Sequence, residues 1–108
     1  MKNASDVVER LYSLIEDRKG GDPSTSYTAS LLEQGSPQIA RKVREEALEV
    51  VTAALTGENK SIVAESADLF YHLLVLWAQK GISPNEVWTE LARREGTSGI
   101  KEKASRKK

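Results

Sequence analysis

The chain has 108 residues, of which 39% are hydrophobic, 6% aromatic and none cysteine, with 16 basic and 16 acidic side chains. This composition favours one domain with an aliphatic core, and it argues against disulfides, thiolate metal sites, a cysteine nucleophile and general binding to nucleic acids or membranes. Because we find neither a signal-peptide pattern nor a run of roughly 20 apolar residues, we expect a cytoplasmic protein.

Apolar residues at helical spacing, separated by glycines and few prolines, predict an all-α protein of four to five helices. A first helix is expected from about Ser5, as its N-cap, to Arg18. The stretch "YTASLLEQG" then predicts one or two helical turns that end at Gly35. Ser36 followed by Pro37 marks the start of the next helix, because proline is tolerated at the first helical position.

Two long helices are predicted in the middle of the chain. The first runs to about Leu55, and the second runs from about Lys60 to Lys80. Within the second, residues 69–78 ("LFYHLLVLWA") are apolar nearly all round apart from His72, which is typical of a helix buried on every side. Since three other short helices can scarcely cover this segment, we expect a homodimer with this helix near the two-fold axis.

The sequence "SPNE", from Ser83 to Glu86, predicts a capping box at the start of a last helix that ends at Gly96. Residues 1–96 are therefore the expected folded domain. Residues 97–108 are expected to be a basic, mobile tail, because the final eight residues carry five positive charges and one negative charge.

Acidic residues are dense in the stretch "VREEALEVV". At about 100° per residue, Glu45, Glu46 and Glu49 share one flank of their helix. In the following helix Glu65 and Asp68 are three residues apart and lie on one face. Antiparallel pairing of the helices would bring the two acidic groups level, and converging carboxylates need positive charge between them. Mg²⁺, which takes oxygen ligands and keeps positions open for water and phosphates, would supply that charge.

The alternative for the first acidic group is a solvated surface of helix-forming glutamates. Glu65 and Asp68 count against it, because they adjoin the most apolar segment of the chain. His72 lies on their helical face, and a hydrogen bond to a carboxylate is preferred over a catalytic or ligand role. Trp77 and Trp88 are expected in the core or a dimer interface rather than as stacking platforms.

The spacing EExxE…ExxD, formed by "EEALE" and "ESAD", resembles that of the all-α nucleoside triphosphate pyrophosphohydrolases of the MazG type. The stretches "SYTASLL" and "DLFYHLLVL" are similar to the phosphoribosyl-ATP pyrophosphohydrolase branch, which acts in the second step of histidine biosynthesis. The resemblance extends from about Ser5 to Arg106. It implies a MazG-like bundle completed by homodimerisation, or a higher homo-oligomer, and Mg²⁺-dependent hydrolysis of phosphoribosyl-ATP to phosphoribosyl-AMP and pyrophosphate.

The resemblance also implies roles for individual residues. The metal ligands would be Glu46, Glu49, Glu65 and Asp68. The catalytic acids would be Glu45, Glu46 and Glu49, with Glu45 as a supporting acid or the base that activates water. Arg44 stands where the family often has glycine, which leaves the local phosphate contacts open. Candidate substrate-binding residues are Ser26, Tyr27, Thr28, Lys42, Arg93 and Arg94, and the alternative for each basic residue is a surface charge.

Two other functions stay open at this stage. A housekeeping MazG-type nucleoside triphosphate pyrophosphohydrolase would use the same chemistry on simple nucleotides. A non-enzymatic helical dimerisation module would bind no Mg²⁺. The chain has no glycine-rich phosphate loop and no Ser-His-Asp or Cys-His pattern, so metal-assisted hydrolysis is the chemistry that its residues permit.

Overall fold

The computed structural model describes residues 6–96 and 99–106. These residues form six α-helices and no strand, which confirms the all-α prediction. The helices are α1 (Val7–Asp17), α2 (Tyr27–Gln34), α3 (Ser36–Thr56), α4 (Asn59–Lys80), α5 (Pro84–Arg93) and α6 (Gly99–Arg106).

Helix α6 lies in the segment that the sequence predicts to be a tail. Its sequence "GIKEKASR" is rich in Lys, Glu, Ala and Arg, which are good helix formers. The first five helices lie within the predicted domain, in agreement with the predicted number. The division into domain and mobile tail stays a prediction, and the predicted N-cap Ser5 lies outside the described residues.

Local signals set the start of α2 and both ends of α3. The Ser26 side chain caps α2 by accepting a hydrogen bond from the Ala29 amide. Pro37 occupies the first turn of α3, as predicted. Gly57 ends α3 with φ +97°, a left-handed conformation that strains any residue with a Cβ atom. The chain therefore reverses within two residues, and α3 and α4 form an antiparallel helical hairpin.

The predicted capping box at the start of α5 is confirmed. Ser83 Oγ accepts a hydrogen bond from the Glu86 amide, and Glu86 Oε2 accepts one from the Ser83 amide. The helix ends at Arg93, three residues before the predicted end at Gly96. Its last turn tightens, because the amides of Arg94 and Glu95 bond to carbonyls three residues earlier.

The core is aliphatic apart from one tyrosine and is drawn from α1 to α4. Tyr12 also fixes α1 to the turn between α4 and α5, because its hydroxyl donates to the Ile82 carbonyl at 2.6 Å. The buried hydrophobic cluster consists of Tyr12, Ile15, Leu31, Leu32, Ile39, Leu74, Val75 and Ala78.

The apolar segment 69–78 of α4 is covered better than the sequence suggests. His72, Leu74, Val75 and Ala78 are buried and only Phe70 is exposed. Helices α1, α2 and α3 pack against this segment within one chain, and the expected position of α4 near a two-fold axis stays a prediction. Exposed apolar residues instead lie on α3 and at the start of α4, where Leu48, Val51, Leu55 and Val63 face solvent.

By length and composition α4 could cross a membrane, which corrects the expectation that no segment could. Core helices of soluble proteins can have the same length and composition, and α4 contributes three residues to the buried cluster. A membrane location is therefore not indicated.

Trp77 and Trp88 form an aromatic group with Phe70 where α5 meets α4. The three ring centroids lie 6.1 to 6.2 Å apart. Trp77 packs against the buried cluster, and the Trp88 indole donates to Glu9 at 3.3 Å. The expected packing role for both tryptophans agrees with these contacts.

Candidate metal and phosphate site

Three carboxylates from the α3–α4 hairpin come together. One oxygen each from Glu46, Glu65 and Asp68 lies within 4.8 Å of the other two. Glu46 and Glu65 are half-buried, whereas Asp68 is exposed. The two-residue turn between the helices explains this convergence, because it fixes the antiparallel register that brings Glu46 level with the segment from Glu65 to Asp68.

Glu49 lies on the same side of the hairpin and is exposed. It is not one of the three converging residues, but its charge acts on Glu65. Partial burial raises the pKa of Glu65, and the negative charges of Glu49, Asp68 and Glu46 raise that pKa further. The four acids therefore form one electrostatic group in which ionisation of Glu65 is disfavoured.

The donor set suits a hard divalent cation. Carboxylate oxygens are the ligands that Mg²⁺ prefers. Glu46, Glu65 and Asp68 each offer one such oxygen, and these three oxygens lie within 4.8 Å of one another. Such an ion would also offset the mutual repulsion of Glu46, Glu49, Glu65 and Asp68.

Lys42 lies one helical turn before the acids of α3. Its Nζ atom is 3.3 Å from Glu45 Oε1 and 3.6 Å from Glu46 Oε2. The hydrogen bond to Glu45 is the main cause that raises the pKa of Lys42, and the charges of Tyr27, Glu45 and Glu46 act in the same direction. Glu45 is thus held beside the converging carboxylates by Lys42, and a positive charge lies at their edge.

The predicted substrate segment from Ser26 to Thr28 begins α2 and contacts α4. The hydroxyl of Tyr27 bonds to His72 Nε2 at 3.0 Å, and the hydroxyl of Thr28 bonds to that of Tyr71. The side chain of Ser26 caps the helix. Tyr71 was missed in the sequence, since nothing in a single apolar stretch shows which of its rings meets a residue 43 positions away.

His72 bonds to a main-chain carbonyl, not to the carboxylate that the sequence suggests. Its Nδ1 atom lies 2.8 Å from the Asp68 carbonyl oxygen. Because a carbonyl only accepts, Nδ1 carries the hydrogen and Nε2 accepts from the Tyr27 hydroxyl. The expected carboxylate bond is wrong because a histidine four residues after a helical carbonyl can reach that carbonyl directly.

Arg93 and Arg94 lie at the end of α5 beside Glu90. Arg93 Nη2 is 2.6 Å, and Arg94 Nε 2.9 Å, from Glu90 Oε2. The hydrogen bonds from these two arginines lower the pKa of Glu90 to about 2. The predicted phosphate contacts of both arginines stay predictions.

A separate cleft of about 340 Å³ lies between the α1–α2 loop and the far end of α4. Gln79 on its wall is about 16 Å along the helix axis from Asp68. None of the predicted site residues is among those that line it, which are Lys19, Gly20, Gly21, Ala29, Leu32, Glu33 and Gln79. This cleft is therefore separate from the acidic residues and is not evidence for a metal site there.

Comparison with known proteins gives a consistent result. The family model described as phosphoribosyl-ATP pyrophosphohydrolase matches residues 8–95. A protein of Azospirillum brasilense named phosphoribosyl-ATP pyrophosphatase is 54% identical over 106 residues, which cover 98% of this chain and 96% of that protein. Proteins of the same name from Paramagnetospirillum magneticum and Geobacter metallireducens are 56% and 50% identical over 108 residues, covering 100% of this chain and 99% of each relative.

Proposed function

The chain belongs to the phosphoribosyl-ATP pyrophosphohydrolase family, and from this premise we propose that it hydrolyses phosphoribosyl-ATP to phosphoribosyl-AMP and pyrophosphate in the second step of histidine biosynthesis. The observation that carries the chemistry is the group formed by Glu46, Glu65 and Asp68 on two antiparallel helices. Since the substrate is a highly charged nucleotide, we place the reaction in the cytoplasm.

The acids hold the cation that the reaction needs. Glu46, Glu65 and Asp68 would hold Mg²⁺, and Glu49 would complete the set or hold a further ion. When bound, Mg²⁺ supplies Lewis-acid stabilisation of the negative charge on the phosphate oxygens. Glu45 shares the Lys42 ammonium group with Glu46 and lies outside the converging group, and we assign to its carboxylate the proton of the attacking water.

Positive charge and an aromatic ring flank the acids on the side of α2. Lys42 lies 3.6 Å from Glu46 and offsets part of the charge of the triphosphate. Tyr27 is 55% exposed, so its ring is available to substrate, and Ser26 and Thr28 hold the first turn of α2 in place. Arg93 and Arg94 are further candidates for phosphate contacts.

A second copy of the chain is proposed to cover the apolar surface of the hairpin. Leu48, Val51 and Leu55 recur at helical spacing on α3, and Leu55 is 83% exposed. Val63 on α4, which is 70% exposed, lies across the turn from them. Helix α3 has 21 residues but buries only Ile39 and Ala53 within one chain. A two-fold dimer would bury this surface against itself.

The proposed activity is tested by pyrophosphate release, measured with a coupled inorganic pyrophosphatase. In the presence of Mg²⁺, we expect kcat/KM for phosphoribosyl-ATP to exceed that for ATP or dCTP by roughly tenfold or more, because the extra ribose phosphate adds contacts that simple nucleotides lack. Removing Mg²⁺ with EDTA should stop the reaction.

Each alternative gives a different result in this assay. Preference for ATP or dCTP would favour a housekeeping nucleotide pyrophosphohydrolase. No release from any of the three substrates would contradict the proposed activity and favour a dimerisation module.

A further inference from the structure

The first turn of α2 is joined to α4 by two neighbouring pairs of side chains. Tyr27 bonds to His72, and Thr28 bonds to Tyr71. The rings of Tyr27 and Tyr71 stack with centroids 6.3 Å apart, and His72 meets Tyr71 edge-on at 4.9 Å. Three rings and a hydroxyl therefore connect the two helices at a point one turn beyond Asp68.

The orientation of His72 is fixed at both nitrogens. Its ring is buried, Nδ1 donates to the Asp68 carbonyl at 2.8 Å, and Nε2 accepts from Tyr27 at 3.0 Å. A flipped ring would place a carbon atom against the Asp68 carbonyl, so only one orientation satisfies both partners.

The other end of this hydrogen-bonded chain is not buried. Tyr27 exposes 55% of its surface although its hydroxyl is used by His72. Its partner His72 lies one helical turn beyond Asp68 and donates to the carbonyl of that residue, which is one of the three converging acids. The chain of hydrogen bonds from the Asp68 carbonyl through His72 therefore ends at the exposed ring of Tyr27, beside the acidic group.

We propose that His72 is a positioning residue. It accepts a hydrogen bond from the Tyr27 hydroxyl and thereby holds the Tyr27 ring against the nucleoside part of the substrate. This inference rests on the proposed hydrolysis of phosphoribosyl-ATP. The triphosphate is bound separately, by Lys42 and by the cation held at the acids. The Asp68 carbonyl orients the histidine and the histidine orients the tyrosine, while the ring face contacts substrate.

Two substitutions of His72 separate its two hydrogen bonds. His72→Asn keeps a donor near the position of Nδ1 but cannot reach Tyr27, whereas His72→Gln places a polar atom near the position of Nε2. We expect His72→Asn and Tyr27→Phe to raise KM for phosphoribosyl-ATP roughly two- to tenfold, the effect of losing one hydrogen bond, with kcat nearly unchanged. His72→Gln should restore most of the wild-type KM.

Two further measurements show where the effect acts. Inhibition by inorganic triphosphate should be the same in wild type, Tyr27→Phe and His72→Asn, because that probe has no nucleoside. The double variant should have a KM no higher than either single variant, since both changes break one bond.

Tyr12→Phe is the matched control. It also removes a tyrosine hydroxyl that bonds a residue at a helix end, but this residue, Ile82, lies just beyond the end of α4, which is about 18 Å along the helix axis from Asp68. We expect it to lower the melting temperature and to leave KM unchanged.

The inference is overturned if Tyr27→Phe and His72→Asn keep the wild-type KM, if Tyr12→Phe raises KM as much as they do, or if their effects multiply in the double variant. Equal weakening of triphosphate inhibition would also overturn it. In each of these cases the wild type still hydrolyses phosphoribosyl-ATP, so the proposed function survives. An inactive wild type would overturn both.

Discussion

Glu65→Gln should nearly abolish pyrophosphate release and, at the same time, raise the melting temperature of the metal-free protein. The activity falls because the variant removes one of the three converging carboxylates that we propose as metal ligands. A bound metal ion contributes several kcal/mol to the stabilisation of transition-state charge, so we expect a loss of roughly a thousandfold in kcat/KM.

The stability gain follows from the raised pKa of Glu65. A carboxylate whose pKa is higher in the folded state than in the unfolded state stabilises the fold at low pH. That contribution is lost as the pH rises through the folded pKa, because the ionised group is then partly desolvated and also faces Glu49, Asp68 and Glu46. At neutral pH the wild type therefore carries an unfavourable repulsion, and glutamine removes it. Thermal unfolding of wild type and variant in EDTA measures this difference.

Glu58→Gln is the matched control for this prediction. Glu58 is an exposed acid at the start of α4, about 10 Å along the helix from Glu65. This variant should keep wild-type activity, whereas Asp68→Asn should lose activity as Glu65→Gln does. A Glu65→Gln protein with the wild-type rate, or with a lower melting temperature in EDTA, would contradict the role given to the acids.

Leu48→Lys should prevent the proposed dimer from forming and leave the protein monomeric. Leu48 is 60% exposed on the α3 surface that we propose a second copy covers. Burying a leucine contributes about 1.5 to 3 kcal/mol, and a two-fold interface contains each substituted residue twice. The lysine also places a charge in an apolar contact, which adds a desolvation cost.

Sedimentation equilibrium measures the outcome. The wild type should have twice the chain mass of 11.9 kDa, and Leu48→Lys should have that mass once. Leu14→Lys is the matched control, since Leu14 is 54% exposed on α1, away from the proposed interface. A monomeric wild type, or equal dissociation by Leu14→Lys, would contradict the proposed dimer.

Acids and exposed apolar residues occupy the same half of the hairpin. Residues 59–68 of α4 contain no buried residue, whereas residues 69–78 supply part of the core. The end of the hairpin near Gly57 therefore extends beyond the core of one chain. A second copy on this end would support the helices that carry Glu46, Glu65 and Asp68, which links the proposed dimer to the proposed metal site.

Much of the fold could be predicted because its signals are local. Gly35, Pro37, Gly57 and the capping box at Ser83 each act on neighbouring backbone groups, so the sequence reveals them. The convergence of the acids could be predicted by assuming that the two long helices pair in an antiparallel way. A short turn between two helices leaves little freedom in their register.

The remaining features depend on contacts between residues far apart in the chain. The coverage of residues 69–78 depends on how α1 and α2 pack, which the pattern of one helix does not contain. The bond between Tyr27 and His72 joins residues 45 positions apart, and its geometry depends on which carbonyl orients the histidine. Side-chain orientation also decides that Glu49 lies beside the three converging acids.

Anomalous diffraction from crystals grown with Mn²⁺ tests the central claim most directly, because Mn²⁺ takes the same oxygen ligands as Mg²⁺ and can be located by its scattering. We predict an ion bound at about 2.1 Å to carboxylate oxygens of Glu46, Glu65 and Asp68. An ion bound at another place, with these three carboxylates free of metal, would contradict the claim.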